Sequence, residues 1–238
     1  MAFYDQAEFV VRFGWGERGV LALAAHSDVV VIVDVLSFAT AVDVAVGRGA
    51  IVFPFGRRDE AAEVFAQEQQ AELAGFGRRY SLAPASMLAL APGERIVLPS
   101  PNGSTLTTLA GEGVVLTGCL RNYQAVAQFA QTAGVSVAVI AAGERWWPQQ
   151  DLRPALEDMI GAGAIISALG GSMSPEAQAA AAVFRQAQPD LQATLLACAS
   201  GKELVEKGLA ASVHLAAELG CSTAVPLLQN GAYVNGAT

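Results

Sequence analysis

The chain reads as an α/β protein: a three-layer α/β/α sandwich around a mainly parallel, or mixed, central sheet. Two observations carry that expectation. Apolar runs of strand length alternate with segments of helical period. Several of the runs are Val/Ile-rich at consecutive positions, as strands covered by helices on both faces must be. The length of 238 residues suits one such unit with ample material for a core, so a single domain over residues 1–238 is expected.

The elements follow in order. Strands are expected at Glu8–Phe13, Asp28–Val33, Ala50–Phe55, Arg95–Pro99, Val114–Leu116 and Ser136–Ala141, with a seventh near Ser212–Leu215. Helical patterns cover Thr40–Gly47, Asp59–Ala74, Ser104–Ala110, Tyr123–Thr132, Ala155–Leu169, Pro175–Ala187 and Lys202–Lys207. Gly75–Pro84 is the longest irregular stretch. The late helices are Ala-rich, a composition that reflects helix propensity and also permits close subunit packing. A homo-oligomer is expected, with a dimer favoured.

Composition excludes several classes. Hydrophobic residues make up 53% and charged residues 15%, which rules out a globally disordered chain. No apolar run reaches the roughly 18 residues of a membrane span. Asp5 and Glu8 stand where a secretory signal needs a basic start and an apolar core, so a cytoplasmic protein is expected. A net charge of -8 argues against nucleic-acid binding, which depends on cations that neutralise phosphates. Three cysteines without CxxC spacing and only two histidines leave no disulfide framework, structural zinc or multi-histidine metal site. Chemistry must rest on carboxylates, arginines and backbone amides.

In parallel α/β sheets, ligands bind outside the carboxyl ends of the strands, and four strand ends here carry polar or glycine-rich turns. Asp34 closes VVVIV and is followed by Val35, Leu36 and Ser37. A carboxylate there is either a Mg²⁺ ligand or catalytic acid, or a cap accepting amide hydrogen bonds from the turn. Ser100–Thr105 (SPNGST) leads into a helix. It is either an anion cradle or an ordinary Pro-Asn-Gly turn with Ser104 as N-cap. Arg121 either clamps an anion or is simply solvated, and Asn122 is placed to cap the next helix. Glu144 follows Ala142-Gly143. Glu157 and Asp158 open a helix in which Gly161-Ala162-Gly163 permits close approach to the sheet.

Gly14-Trp15-Gly16-Glu17-Arg18-Gly19 is a literal GxGxxG, with Asp34 twenty residues after Gly14, the arrangement of a dinucleotide-binding turn. An NAD(P)-dependent oxidoreductase is therefore one alternative. Against it, Arg12 interrupts the strand, Trp15 is bulky for a turn that hugs a pyrophosphate, and Val20–His26 is short for the helix. No P-loop is present, since Gly201-Lys202 is followed by Glu203. Neither a cysteine-phosphatase loop nor an aspartyl-phosphate DxD occurs. A non-catalytic anion-binding protein is the other alternative.

Taken together, VVVIVDVLSFATAV (29–42), RIVLPSPNGST (95–105), GCLRNYQAVA (118–127), VIAAGE (139–144), LEDMIGAGAII (156–166) and the closing STAVP (222–226) resemble the 2-phosphosulfolactate phosphatase family. The resemblance runs from about Asp28 to Pro226. It implies a phosphoric monoester hydrolase that is Mg²⁺-dependent and converts 2-phosphosulfolactate, or a related small phosphate monoester, to 3-sulfolactate and phosphate. In methanogens that step belongs to coenzyme M biosynthesis. It further implies catalytic roles for Asp34, Glu144 and Asp158, and Mg²⁺ ligands drawn from Asp34, Glu144, Glu157 and Asp158. Ser37, Asn102, Gly103, Ser104, Thr105, Arg121 and Asn122 are then the residues that bind the anionic substrate. The chain departs from the pattern at Ser37-Phe38-Ala39-Thr40, where many members have Arg-Ala-Thr after Asp-Val-Leu. It departs again at Ser212, Ala216 and Gly220, where Asp, Cys and Asp are common, and its Gly75–Pro84 loop looks shortened.

Overall fold

A computed structural model describes residues 3–237; Met1, Ala2 and Thr238, part of the expected 1–238 unit, lie outside the described residues. The fold is α/β, with a nine-stranded sheet flanked by helices. The elements that build the sheet and its cover are β1 (Val11–Trp15), α1 (Gly16–Leu23), β2 (Val29–Val33), α2 (Phe38–Gly47), β3 (Ile51–Phe55), α3 (Glu60–Glu68), β4 (Glu72–Leu73), α4 (Pro84–Met87), β5 (Arg95–Pro99), α5 (Gly103–Leu109), β6 (Val114–Gly118), α6 (Tyr123–Ala133) and β7 (Val137–Ala141). A short hairpin, β8 (Glu144–Arg145) with β9 (Leu152–Arg153), precedes the helices α7 (Leu156–Ala168), α8 (Pro175–Ala187), α9 (Leu191–Ala197), α10 (Ala199–Glu206) and α11 (Ala210–Ala216). The chain then returns to the sheet as β10 (Pro226–Gln229) and β11 (Ala232–Asn235).

Strand order is β1-β7-β2-β6-β10-β11-β3-β5-β4. Two parallel blocks, β1-β7-β2-β6 and β3-β5-β4, are joined by the antiparallel β10–β11 pair. All five residues of β2 are buried, because helices cover both of its faces. Val29, Val31 and Val33 pack beneath α6 and α7, whereas Val30 and Ile32 pack beneath α1 and α5.

The mixed sheet has a local cause. Asn230-Gly231, with φ of 51° and 80°, forms the two-residue turn that favours a hairpin, so β10 and β11 enter side by side as an antiparallel joint. These strands lie beyond the expected set. The strand expected at Ser212–Leu215 is instead helix α11, with Ser212, Val213 and Ala216 buried at helical rather than alternate spacing. The helix expected over Asp59–Ala74 stops at Glu68. Gln70 has a φ of 49°, and the following residues form β4 against β5. The first strand starts at Val11 rather than Glu8 and tolerates Arg12 because its guanidinium donates to the carbonyls of Phe9, Ala7 and His26 and to Ser27 Oγ.

Small residues set the depth of the site. A Cβ on Gly161 would fall 2.5 Å from Val35 Cγ2, so α7 does press against the end of β2. Gly163 faces away, and its Cβ would lie 2.1 Å from the Ala180 carbonyl oxygen of α8. Among the described residues, no helix is long and apolar enough to cross a membrane.

Candidate active site

Asp34 follows the last residue of β2, and its carboxylate ties together two helix starts. Oδ1 accepts from Phe38 N–H of α2 at 3.1 Å, and Oδ2 accepts from Gly103 N–H of α5 at 2.9 Å. The capping bonds expected of Asp34 are present, and the same side chain also faces a cavity. Its carboxylate is the acceptor of the N–H at the start of α5. Gly103 is required for the approach, since a Cβ there would lie 2.2 Å from Phe38 Cδ1 and 2.9 Å from Asp34 Oδ2. Burial, and after it the charge of Glu144, push the Asp34 carboxyl up to about 7 against the opposing effect of the two N–H donors.

The cavity beside Asp34 has a volume of about 310 Å³ and is also lined by Ser37, Ser100, Asn102 and Glu144. Asn102 Nδ2 donates to Glu144 Oε2 at 3.0 Å, which fixes Glu144 as an acceptor over the cavity. Burial raises the Glu144 carboxyl, the Asn102 bond and the charge of Arg153 lower it, and Glu157 raises it again. Asn102 and Glu144 also form the wall of a second cavity of about 270 Å³, beside Trp15, Arg18 and Leu152.

Asp158 and Glu157 lie beneath this floor. Asp158 Oδ1 accepts from Val35 N–H at 2.7 Å and Oδ2 from Gly143 N–H at 2.8 Å, so it clamps the ends of β2 and β7 together. Burial, Asp34 and Glu157 hold its carboxyl well above the ordinary value. Glu157 is buried and accepts from the Cys198 thiol at 3.3 Å. Neither residue lines the Asp34 cavity. Asp158 is thus bonded to the backbone just beyond β2 and β7 and stands off the cavity wall.

All four carboxylates offer the hard oxygens that Mg²⁺ takes. Among the described residues, however, no three His, Cys, Asp or Glu side chains converge to hold an ion. The expected four-carboxylate set is not assembled on one cavity, because Asp34 and Glu144 line it whereas Glu157 and Asp158 do not. Asp34 and Glu144 are the two carboxylates on the cavity wall whose oxygens could hold such an ion.

The expected substrate turn divides in the same way. Asn102 faces the cavity, Gly103 supplies the N–H to Asp34, Ser104 is fully buried and donates to the Leu98 carbonyl, and Thr105 lines a different pocket beside Pro54 and Phe65. Asn102, not Ser104, holds the N-cap position of α5. Arg121 does not reach the cavity. Its Nε donates to Asp43 Oδ2 at 2.9 Å, and its Nη1 donates to the Leu215 carbonyl and to Glu218 Oε2. Asn122 is fully buried and makes no side-chain cap: its Oδ1 accepts from Cys119 N–H at 2.8 Å, and its Nδ2 donates to the Ala224 carbonyl at 3.3 Å. Ser37 stays at the cavity.

Sequence reasoning missed Arg58 and Lys207, which supply the cavity's cations. Arg58 stands three residues after β3, so the strand-end rule that found Asp34 would have reached it. The GxGxxG glycines have a packing role. A Cβ on Gly19 would fall 2.9 Å from the Gly14 carbonyl carbon, so this pair lets α1 lie directly on β1, which is an edge strand.

A family model described as 2-phosphosulpholactate phosphatase matches residues 20–231. A protein of Gloeobacter violaceus named probable 2-phosphosulfolactate phosphatase is 33% identical over 135 residues, covering 56% of this chain and 55% of that protein. A Thermus thermophilus protein of the same name is 31% identical over 218 residues, covering 86% of this chain and 90% of that protein.

Proposed function

The chain belongs to the 2-phosphosulfolactate phosphatase family, and we propose from that premise that it hydrolyses 2-phosphosulfolactate, or a related small phosphate monoester, in the Asp34 cavity with Mg²⁺. The observation that carries the reading is the convergence of Asp34, Asn102 and Glu144 on one cavity of about 310 Å³, large enough for a three-carbon phosphate ester. Mg²⁺, when bound by Asp34 and Glu144, would neutralise phosphate oxygens and so favour attack at phosphorus.

The remaining work falls to the chain. Asn102 orients the Glu144 carboxylate through its Nδ2. Glu144 is the carboxylate on the cavity wall that takes the proton of the attacking water. The water oxygen bonds to phosphorus as the bond to the ester oxygen breaks; the departing oxygen leaves on the opposite side and takes its proton from solvent, and Glu144 returns its proton to solvent. Asp34 is fixed at both oxygens by backbone N–H groups, so it enters the reaction pre-oriented and needs no rearrangement. Asp158 keeps Val35 and Gly143 in register, and with them the residues on either side of the cavity.

The test is phosphate release from 2-phosphosulfolactate and from a panel of small phosphate monoesters, with Mg²⁺ and with EDTA. Mg²⁺-dependent release with preference for the sulfonate substrate is the expected result. Release from other esters alone would keep the chemistry and move the substrate. No release from folded, Mg²⁺-supplied protein would overturn the enzymatic reading and leave an anion-binding protein.

A further inference from the structure

The Asp34 cavity has two distinct rims. Asn102 and Glu144 form the rim shared with the second cavity. Arg58, Leu82 and Pro99 form another, shared with a groove of about 840 Å³ along α3. The cavity's cations are Arg58 and Lys207. Lys207 is paired on its own helical face with Glu203, whose Oε1 lies 2.5 Å from its Nζ. Arg58 has no carboxylate partner among the described residues. Its Nε donates to the Pro99 carbonyl at 3.4 Å, which tethers the side chain to the end of β5 and leaves both terminal nitrogens free.

We infer that Arg58 is the specificity-determining residue for this cavity, reading a second anionic group on the substrate while the phosphate lies toward Asp34 and Glu144. The inference rests on the phosphatase reading above and adds to it the residue that selects the substrate. The physical reason is separation of charge. A phosphate ester with no other charge satisfies the carboxylate-and-metal rim and leaves the far rim empty. An ester that also carries a sulfonate or carboxylate gains a bidentate contact with the guanidinium fork. Lysine in its place would keep the charge and lose the fork.

The neighbouring Arg57 provides an internal control. It pairs with Asp59 at 3.4 Å, sits over the Phe55 ring and lines the pocket on the other side of the loop. Phosphate release is measured for the wild type, Arg58→Gln, Arg58→Lys and Arg57→Gln, on 2-phosphosulfolactate and on p-nitrophenyl phosphate. Arg58→Gln should raise KM for 2-phosphosulfolactate roughly 10- to 100-fold, the cost of one lost charge-assisted contact. Its kcat and its KM for p-nitrophenyl phosphate should stay within about 3-fold, Arg58→Lys should fall between, and Arg57→Gln should match the wild type. An equal KM rise on both substrates, no rise on either, or the same rise in Arg57→Gln would overturn the assignment.

Calorimetry with 3-sulfolactate, which has no phosphate, separates this claim from the one it rests on. If the wild type releases no phosphate yet binds 3-sulfolactate and Arg58→Gln loses that binding, the phosphatase reading fails and the role of Arg58 stands. If no phosphate is released and 3-sulfolactate binds both proteins equally, or neither, Arg58 is not the reader of the second anion.

Discussion

Replacing Asp34 by Asn removes a buried charge whose cost can be worked out from its surroundings. Burial and Glu144 raise the Asp34 carboxyl from an ordinary 3.8 to about 7. The folded protein therefore holds a proton on this group that the unfolded chain has released between about pH 4 and pH 7. The sign follows directly: the associated stability is fully present below pH 4 and is lost as pH rises through 7. The whole shift is worth about 4 kcal/mol at 1.36 kcal/mol per unit. The portion lost between pH 6 and pH 8 is about 1.4 kcal/mol. For a chain of this size that is roughly 3–5 °C in Tm. Asn cannot ionise, so in metal-free buffer the Tm of Asp34→Asn should fall less over this interval, by that amount. Asn also places an NH₂ group against one of the two N–H donors, Phe38 or Gly103, which lowers stability at every pH by about 1–3 kcal/mol. The assay is thermal melting at pH 6, 7 and 8 after EDTA treatment, alongside phosphate release with Mg²⁺, which the variant should lack. Parallel Tm-versus-pH curves for the two proteins would refute the claim that Asp34 is a desolvated, titrating carboxylate.

Two further substitutions separate the site from its supports. Gly103→Ala forces a methyl against Phe38 and the Asp34 carboxylate; turnover should be lost and stability should fall by about 2–3 kcal/mol, read by activity and urea melts of one preparation. Asp43→Ala removes the buried partner of Arg121, which keeps only Glu218 and the Leu215 carbonyl; the expected cost is about 3 kcal/mol with kcat close to the wild-type value, because Asp43 lies outside the Asp34 cavity.

Most of the sheet could be read from residue types, because a strand covered on both faces has to be largely apolar: β2 and β7 are so throughout, and β5 and β6 are but for Arg95 and Thr117. The C-terminal hairpin was not among the expected strands, although Asn230-Gly231 between Leu227-Leu228-Gln229 and Ala232-Tyr233-Val234 is a local hairpin signal. Its place between the two parallel blocks was not legible, since ladder partners far apart in sequence leave no local mark. Strand-end logic picked out Asp34, Asn102 and Glu144, which line one cavity, and Gly103, which donates to Asp34. Ser104, Thr105, Arg121 and Asn122 do not line that cavity, because the rule locates a residue without giving the direction of its side chain. Successive helical residues turn by about 100°, so Asn102, Ser104 and Thr105 look three ways from one turn. Arg57 and Arg58 are a similar case, since adjacent identical residues face different pockets.

The hairpin that joins the two blocks has a consequence for the order of assembly. Every other strand of the nine-stranded sheet precedes residue 226 in the chain, so β6 and β3 leave the ribosome with no neighbour on their inner sides. Each block can collapse beneath its own helices as synthesis proceeds. Until Pro226–Asn235 emerges, however, the centre of the sheet is a gap bounded by two bare strand edges. The final pair works as a zipper, and the interval before it closes is when the nascent chain is most exposed to pairing with another copy of itself.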